Sequence, residues 1–445
     1  MAITPLTDAD RVAHAPVGPE PYEWWYFEVH AKVNGVDWIV VLSAHSPHAM
    51  DPVRMLDVHL ERGTFRPDQF SGVDVSVYRI ADPGRRPGLV ALGVTRTAGA
   101  TLSATAPLTA RFGADVLTID ESTSGPRTYT LALRQKGALF REEGIIHPFT
   151  GVPGVEKIDL ELDVTFQERA VGFKLGDGTI LTDPRGGRHA WAIVMPDARV
   201  DGQLRLGDGD PVPLSGAVGY HDKQWGPDLP MRAYKEWSWG RTVVPKTGGA
   251  DVLLFFQTCS NRGPGHPSVV SEFAAFVPAG GAAEELTGRV EPERWTDGPW
   301  QRSYRRGLLR HLLRLFGTTI LRLLDRLLRA RPSLRKLLGY WTRIHVHGAA
   351  PTGPGGASED WSLEVDQKGT SVEPWPFYNR YLPQATLTRD GTTSTPEFVL
   401  TEFAQPAELS SAATLFGMPL LLGGIAVFSE LVTEIEPGAP RLSEL

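Results

Sequence analysis

The chain has 445 residues, 41% of them hydrophobic and 22% charged, with a formal net charge of −7. That mix is globular and excludes a disordered or fibrous chain, and the length allows two domains of ordinary size. One cysteine, Cys259, excludes an intramolecular disulfide and a cysteine-rich zinc or iron–sulfur site.

Residues 1–16 lack a basic stretch followed by an apolar core, so no secretory signal is read and the protein is expected to stay inside the cell. Along the chain, segments such as 36–42, 160–167, 252–257, 361–365 and 385–388 are short and mostly rich in β-branched or aromatic residues. Turn residues separate them, drawn from 47 Gly and 36 Pro. This is an all-β rhythm. No GxGxxG after a strand, GxxxxGK[ST], GxSxG, HExxH or CxxC pattern occurs, so nucleotide-cofactor and common hydrolase chemistry are not expected. His45 and His48 have the look of metal ligands, but no third ligand is evident nearby and a polar loop is the simpler reading. No metal is expected.

Residues 301–341 break the rhythm. Eleven Lys or Arg face the single acid Asp325, a net charge of +10 against −17 for the rest of the chain. At about 100° per residue, Leu309, Leu313, Phe316, Ile320, Leu324 and Leu327 share one arc, with Arg310, Arg314, Arg322, Arg326 and Arg329 outside it. The pattern predicts a basic amphipathic helix stopped near Pro332. It either lies on an anionic membrane surface over 301–331, placing the protein on the inner face of the membrane, or packs on its own acidic protein. Nucleic acid is not an expected partner, because the remaining surface repels phosphate. The apolar stretch 415–428 is broken by Pro419, Gly423 and Gly424 and reads as buried core, too short to span a bilayer.

Two aromatic clusters stand out, Glu23-Trp24-Trp25-Tyr26-Phe27 and Lys235-Glu236-Trp237-Ser238-Trp239-Gly240. A third segment, Gly219-Tyr220-His221-Asp222-Lys223-Gln224-Trp225-Gly226, combines an imidazole, a carboxylate, an ammonium and an indole. Because strand side chains alternate, Trp237 and Trp239 share one face. His221, Lys223 and Trp225 share another, opposite Asp222 and Gln224. A barrel interior built from such faces is apolar with a few proton-active groups. The plainer alternative is core tryptophans with charged strand ends in water.

These three segments, with the run 191–226 and a late Pro376-Phe377-Tyr378-Asn379-Arg380, resemble the carotenoid 1,2-hydratase (hydroxyneurosporene synthase) family and its attachment-factor-like relatives. The resemblance implies a mainly β protein of two lipocalin-like β-barrel or β-sandwich domains, 14–226 and 227–440, with the helix at 301–341 as an insertion. It also implies a ligand pocket near the domain junction and no cofactor. The same superfamily includes [4+2] cyclases (Diels-Alderases), so fold alone does not choose the reaction. The family's HDxxWG motif carries over as His221, Asp222, Trp225 and Gly226. Where the hydratases usually place a second histidine, this chain has Lys223.

The reading that follows is a cofactor-independent enzyme acting on a carbon–carbon double bond of a large apolar polyene or isoprenoid, by water addition or protonation-initiated cyclisation. His221, Asp222 and Lys223 are the expected catalytic groups, with Asp251 as a second carboxylate. Trp25, Trp225, Trp237, Trp239, Tyr378 and Arg380 are expected to bind substrate. A pericyclase and a non-catalytic lipid carrier are the alternatives.

Overall fold

The computed structural model describes residues 2–15, 17–80, 88–140, 155–182, 188–260, 270–293, 343–350, 359–367, 371–375, 378–389, 391–404 and 433–444. The helix expected over 301–341 and the apolar stretch 415–428 lie outside the described residues. Nearly every described element is a strand, as the turn-punctuated sequence predicts. Among the described residues no helix is long and apolar enough to cross a membrane.

Eight strands in chain order close on themselves. They are β1 (Tyr22–Val33), β2 (Val36–His45), β3 (Ser71–Ile80), β4 (Gly88–Thr97), β5 (Thr128–Phe140), β6 (Val155–Glu168), β7 (Arg188–Leu206) and β8 (Ala217–Gly226). Each pairs antiparallel with the next, and β8 returns to β1. The result is an up-and-down eight-stranded barrel, the architecture of lipocalins. Its interior is filled by one set of alternating side chains, including Phe27, Leu42, Val75, Leu133, Leu162 and Phe166. Gly219 belongs to this inward set, since a Cβ there would lie 2.5 Å from Val200 and 2.8 Å from Phe166.

A second antiparallel sheet follows, with eleven strands among the described residues. Its members nearest the barrel are β9 (Tyr234–Lys246), β10 (Gly249–Ser260), β11 (Tyr378–Tyr381) and β12 (Phe398–Ala404). Along β10 the alternation is plain. Leu253 and Phe255 join the sheet's own cluster, whereas Val252, Leu254 and Phe256 join the cluster facing the barrel. Three apolar layers result, one inside the barrel, one between barrel and sheet, and one within the second sheet.

Buried polar contacts pin the middle layer. Arg241 on β9 donates to Glu28 on β1 at 2.6 Å, both without exposed side-chain surface. Asp197 on β7 accepts from the Ala250 N–H, and His30 stacks on Phe398 at 4.4 Å. The short strand β13 (Thr433–Ile435) comes back from the far end of the sequence and pairs in parallel with Val94–Arg96 of β4. There Glu434 accepts from the Lys136 N–H, and Arg96 donates to the Pro440 carbonyl.

Candidate active site

Between the outer face of the barrel and the second sheet lies a cavity of about 360 Å³, within the range of small-molecule sites. Strand register fixes its floor. Asp222, Tyr26, Ser43, Asp74 and Val94 are successive cross-strand partners from β8 through β1, β2 and β3 to β4, and all five line the cavity. One row along, Gln224, Trp24, His45 and Arg96 do the same, with Gly72 between His45 and Arg96. The roof is a matching row on the second sheet, Arg380, Glu402, Trp239 and Phe256.

At the β8 end the floor is aromatic and holds one acid. Tyr220 donates to Asp222 Oδ2 at 2.9 Å, and Gln224 Nε2 donates to Oδ1 at 3.2 Å. Burial pushes the Asp222 carboxyl up to about 7, against the pull of the Tyr220, Gln224 and Trp191 donors, and the Glu402 carboxylate adds to the rise. Asp222 thus holds its proton to a far higher pH than an ordinary carboxyl. Gln224 is itself held in one orientation. Its Oε1 accepts from His189 Nε2 at 2.9 Å, so the neutral ring leaves Nδ1 to accept from the Tyr22 hydroxyl at 2.5 Å. Burial drives His189 down to about 3, which keeps it neutral.

The roof contributes a second carboxylate. Glu402 accepts from Arg380 Nε at 2.9 Å and from the Tyr26 hydroxyl at 3.2 Å. Arg380 also donates to the hydroxyls of Tyr78 and Tyr378. The indole N–H groups of Trp191 and Trp239 are buried with no hydrogen-bond partner of ordinary geometry among the described residues. Trp191 still lies close enough to Asp222 to favour its ionised form.

At the opposite end, three strands from Asp222, His45, His48 and Asp74 bring one ligand-type atom each within 4.8 Å of one another. Asp74 is the third group that sequence spacing did not reveal. The arrangement nevertheless suits hydrogen bonding better than a metal. The Met50 N–H donates to His48 Nδ1 at 3.2 Å, so the neutral ring carries its proton on Nε2, the atom facing Asp74. A cation would need that lone pair. The two rings also stack in parallel, 4.0 Å apart and 6° from coplanar, and one ion cannot lie in both ring planes. Against the upward push of burial, hydrogen bonds from His45 and His48 hold the Asp74 carboxyl well below the usual range. Burial and the neighbouring His48 lower His45 to about 4.

The residues expected from sequence divide between two places. Asp222, Trp237, Trp239, Tyr378 and Arg380 line the cavity. His221, Lys223 and Trp25 do not, because their side of the strand faces the barrel interior. His221 stacks on Phe27 at 3.9 Å, donates from Nδ1 to the Tyr26 carbonyl, and is lowered by burial to about 3. Lys223 is fully buried against Glu23 Oε1 at 2.8 Å and also donates to the Val12 carbonyl. Trp225 stacks on His14. Asp251 accepts from the Ala279 N–H beside Lys246 and is not part of the cavity wall. Sequence reasoning missed His189, Trp191, Asp74 and Glu402. The one signal available was period two, which puts Gln224 on the face of Asp222.

No family model matches the sequence, and no curated protein matches it. Several solved structures align with most of the chain. One is described as an AttH from Nitrosomonas europaea, with 14% identity, coverage of 89% of this chain and 95% of that one, and a TM-score of 0.46. Kievitone hydratase from Nectria haematococca aligns with 12% identity over 90% and 94% of the two chains, again at 0.46. CghA with Sch210972 aligns with 11% identity over 91% and 98%, at the same TM-score of 0.46.

Proposed function

We propose that the protein is an enzyme that uses Asp222 as a proton donor to a carbon–carbon double bond of a substrate held in the inter-sheet cavity, without a cofactor. The observation that carries this is a carboxyl raised to about 7 by burial, at the aromatic end of the cavity floor. A general acid works best when its pKa sits near the ambient pH. Proton transfer from Asp222 to carbon leaves a carbocation. Trp24, Trp191, Trp239 and Glu402 line the same cavity, and indole π faces and a carboxylate stabilise positive charge. Water adding to the cation yields an alcohol and returns its proton to the Asp222 carboxylate, so one group serves as acid and then base. Attack by a second double bond, followed by proton loss to the same carboxylate, yields a ring instead.

A second reading has its own observation. A protonated Asp222 is a hydrogen-bond donor on the cavity wall, which suits activation of a carbonyl-bearing diene partner for [4+2] closure. One experiment separates the two. Metabolite comparison of strains with and without the protein identifies the accumulating precursor. That precursor is then turned over in heavy water by wild type and by Asp222→Asn. Proton donation to carbon predicts solvent deuterium on product carbon and a loss of about 10²–10⁴-fold in kcat for the variant. Product free of carbon-bound deuterium, with most activity kept by the asparagine donor, overturns it in favour of the cyclase.

A further inference from the structure

We propose that the β3 side of the cavity binds a hydroxyl or phenol of the substrate, so that the substrate is an amphiphile with its reacting double bond at one end and an O–H donor at the other. The inference rests on the cavity being the substrate site and adds the substrate's chemical class. Three inter-strand steps separate Asp222 from Asp74 in the cross-strand row, about 14 Å at the usual strand spacing. The two groups therefore meet different parts of one molecule.

What the far end offers is acceptors. Both histidine Nε2 atoms lie against the same oxygen of Asp74, Oδ2, at 3.4 and 3.5 Å. Its Oδ1 has no partner among the described residues, and 34% of the side-chain surface stays accessible at the cavity wall. The two nearby guanidinium groups are engaged elsewhere. Arg96 donates to Asp51 at 2.6 Å and to the Pro440 carbonyl, and Arg54 donates to the His48 and Pro21 carbonyls. A ligand that covers Asp74 must replace the water at Oδ1 with a donor of its own, and a bond to a charged acceptor is among the stronger ones. A hydroxyl satisfies this end. A carboxylate or phosphate head meets Asp74 as a like charge.

The test uses two rigid probes of the same shape, 4-hydroxystilbene and 4-methoxystilbene, read by quenching of the cavity tryptophans at pH 7. Wild type is expected to bind the phenol at least about 10-fold more tightly than the ether, and Asp74→Ala is expected to bring the ratio below about 2. Equal affinities in wild type, or a preference that survives in Asp74→Ala, overturn the proposal. The wild-type ratio decides by itself should that variant fold poorly. The Asp222→Asn protein is expected to keep the ratio. A phenol preference kept in a protein whose product carries no solvent deuterium would sink the proton-donor reading while leaving this one standing.

Discussion

Strand β8 has two faces, and they put similar chemistry into different surroundings. His221 and Lys223 enter the barrel, where an aromatic stack, a backbone carbonyl and a buried carboxylate satisfy them completely. Tyr220, Asp222 and Gln224 face the second sheet, where packing is incomplete and Asp222 and Gln224 line the cavity. Both faces are buried and both shift pKa values. What separates a structural group from a chemical one here is whether room remains beside it for another molecule.

The comparison is broken most forcefully through Lys223. Lys223→Met removes one partner of a buried pair and leaves Glu23 behind, so a loss of about 3–5 kcal/mol in urea unfolding is expected. Activity per folded molecule should remain. The reverse result, full stability with lost turnover, would place Lys223 in the chemistry after all.

A pH series sharpens the contrast. Asp222 has a folded pKa raised above its unfolded value, so the stability linked to it is full below about 4 and is lost as pH rises through about 7. His45, His189 and His221 have depressed folded values, so theirs is full above about 6.5 and is lost as pH falls toward 3 to 4. Between about pH 4 and 7 the two kinds of group oppose each other, the histidines adding stability as pH rises and Asp222 removing it. Asp222→Asn should therefore steepen the rise in stability across that window, by on the order of 4 kcal/mol at most, and leave the pH dependence above about 8 unchanged. Thermal melts from pH 4 to 9 check this, and an unchanged slope between pH 4 and 7 would mean that Asp222 is ionised throughout that range.

The smallest effect belongs to His221→Phe. The ring keeps its stack on Phe27 and loses one hydrogen bond to the Tyr26 carbonyl, about 0.5–1.5 kcal/mol, with turnover retained. A variant that folds normally yet is inactive would return His221 to the mechanism.

Sequence made the strands and their alternation readable, including the separation of His221, Lys223 and Trp225 from Asp222 and Gln224. It did not show which face would meet a ligand. In a half-exposed strand, apolar residues mark the core side, but β8 is buried on both sides from Gly219 to Lys223. The inside of the barrel is set by β6 pairing with both β5 and β7, a closure no local pattern announces. Asp74 was hidden for the opposite reason. Val73, Val75 and Val77 fill the barrel, so Asp74 and Ser76 read as an ordinary solvent face. Only the second sheet, folded over from more than 150 residues downstream, turns that face into a wall. Trp237 and Trp239 were easier, because two indoles two residues apart mark a face wherever the strand ends up.

The parallel pairing of β13 with β4 sets an order of events during synthesis. β4 meets β5 only at Ala91 and Leu92, and its Val94–Arg96 edge is taken by residues 433–435. A ribosome delivers that partner only after both sheets' other strands have emerged. Until then the nascent barrel carries an open strand edge, which is the kind of surface that recruits stray strands or a chaperone. Arg96, part of the cavity floor, likewise waits for the Pro440 carbonyl. The chamber is thus finished last, and a polypeptide halted near residue 430 would leave the ribosome with nearly all its strands and an unfinished site.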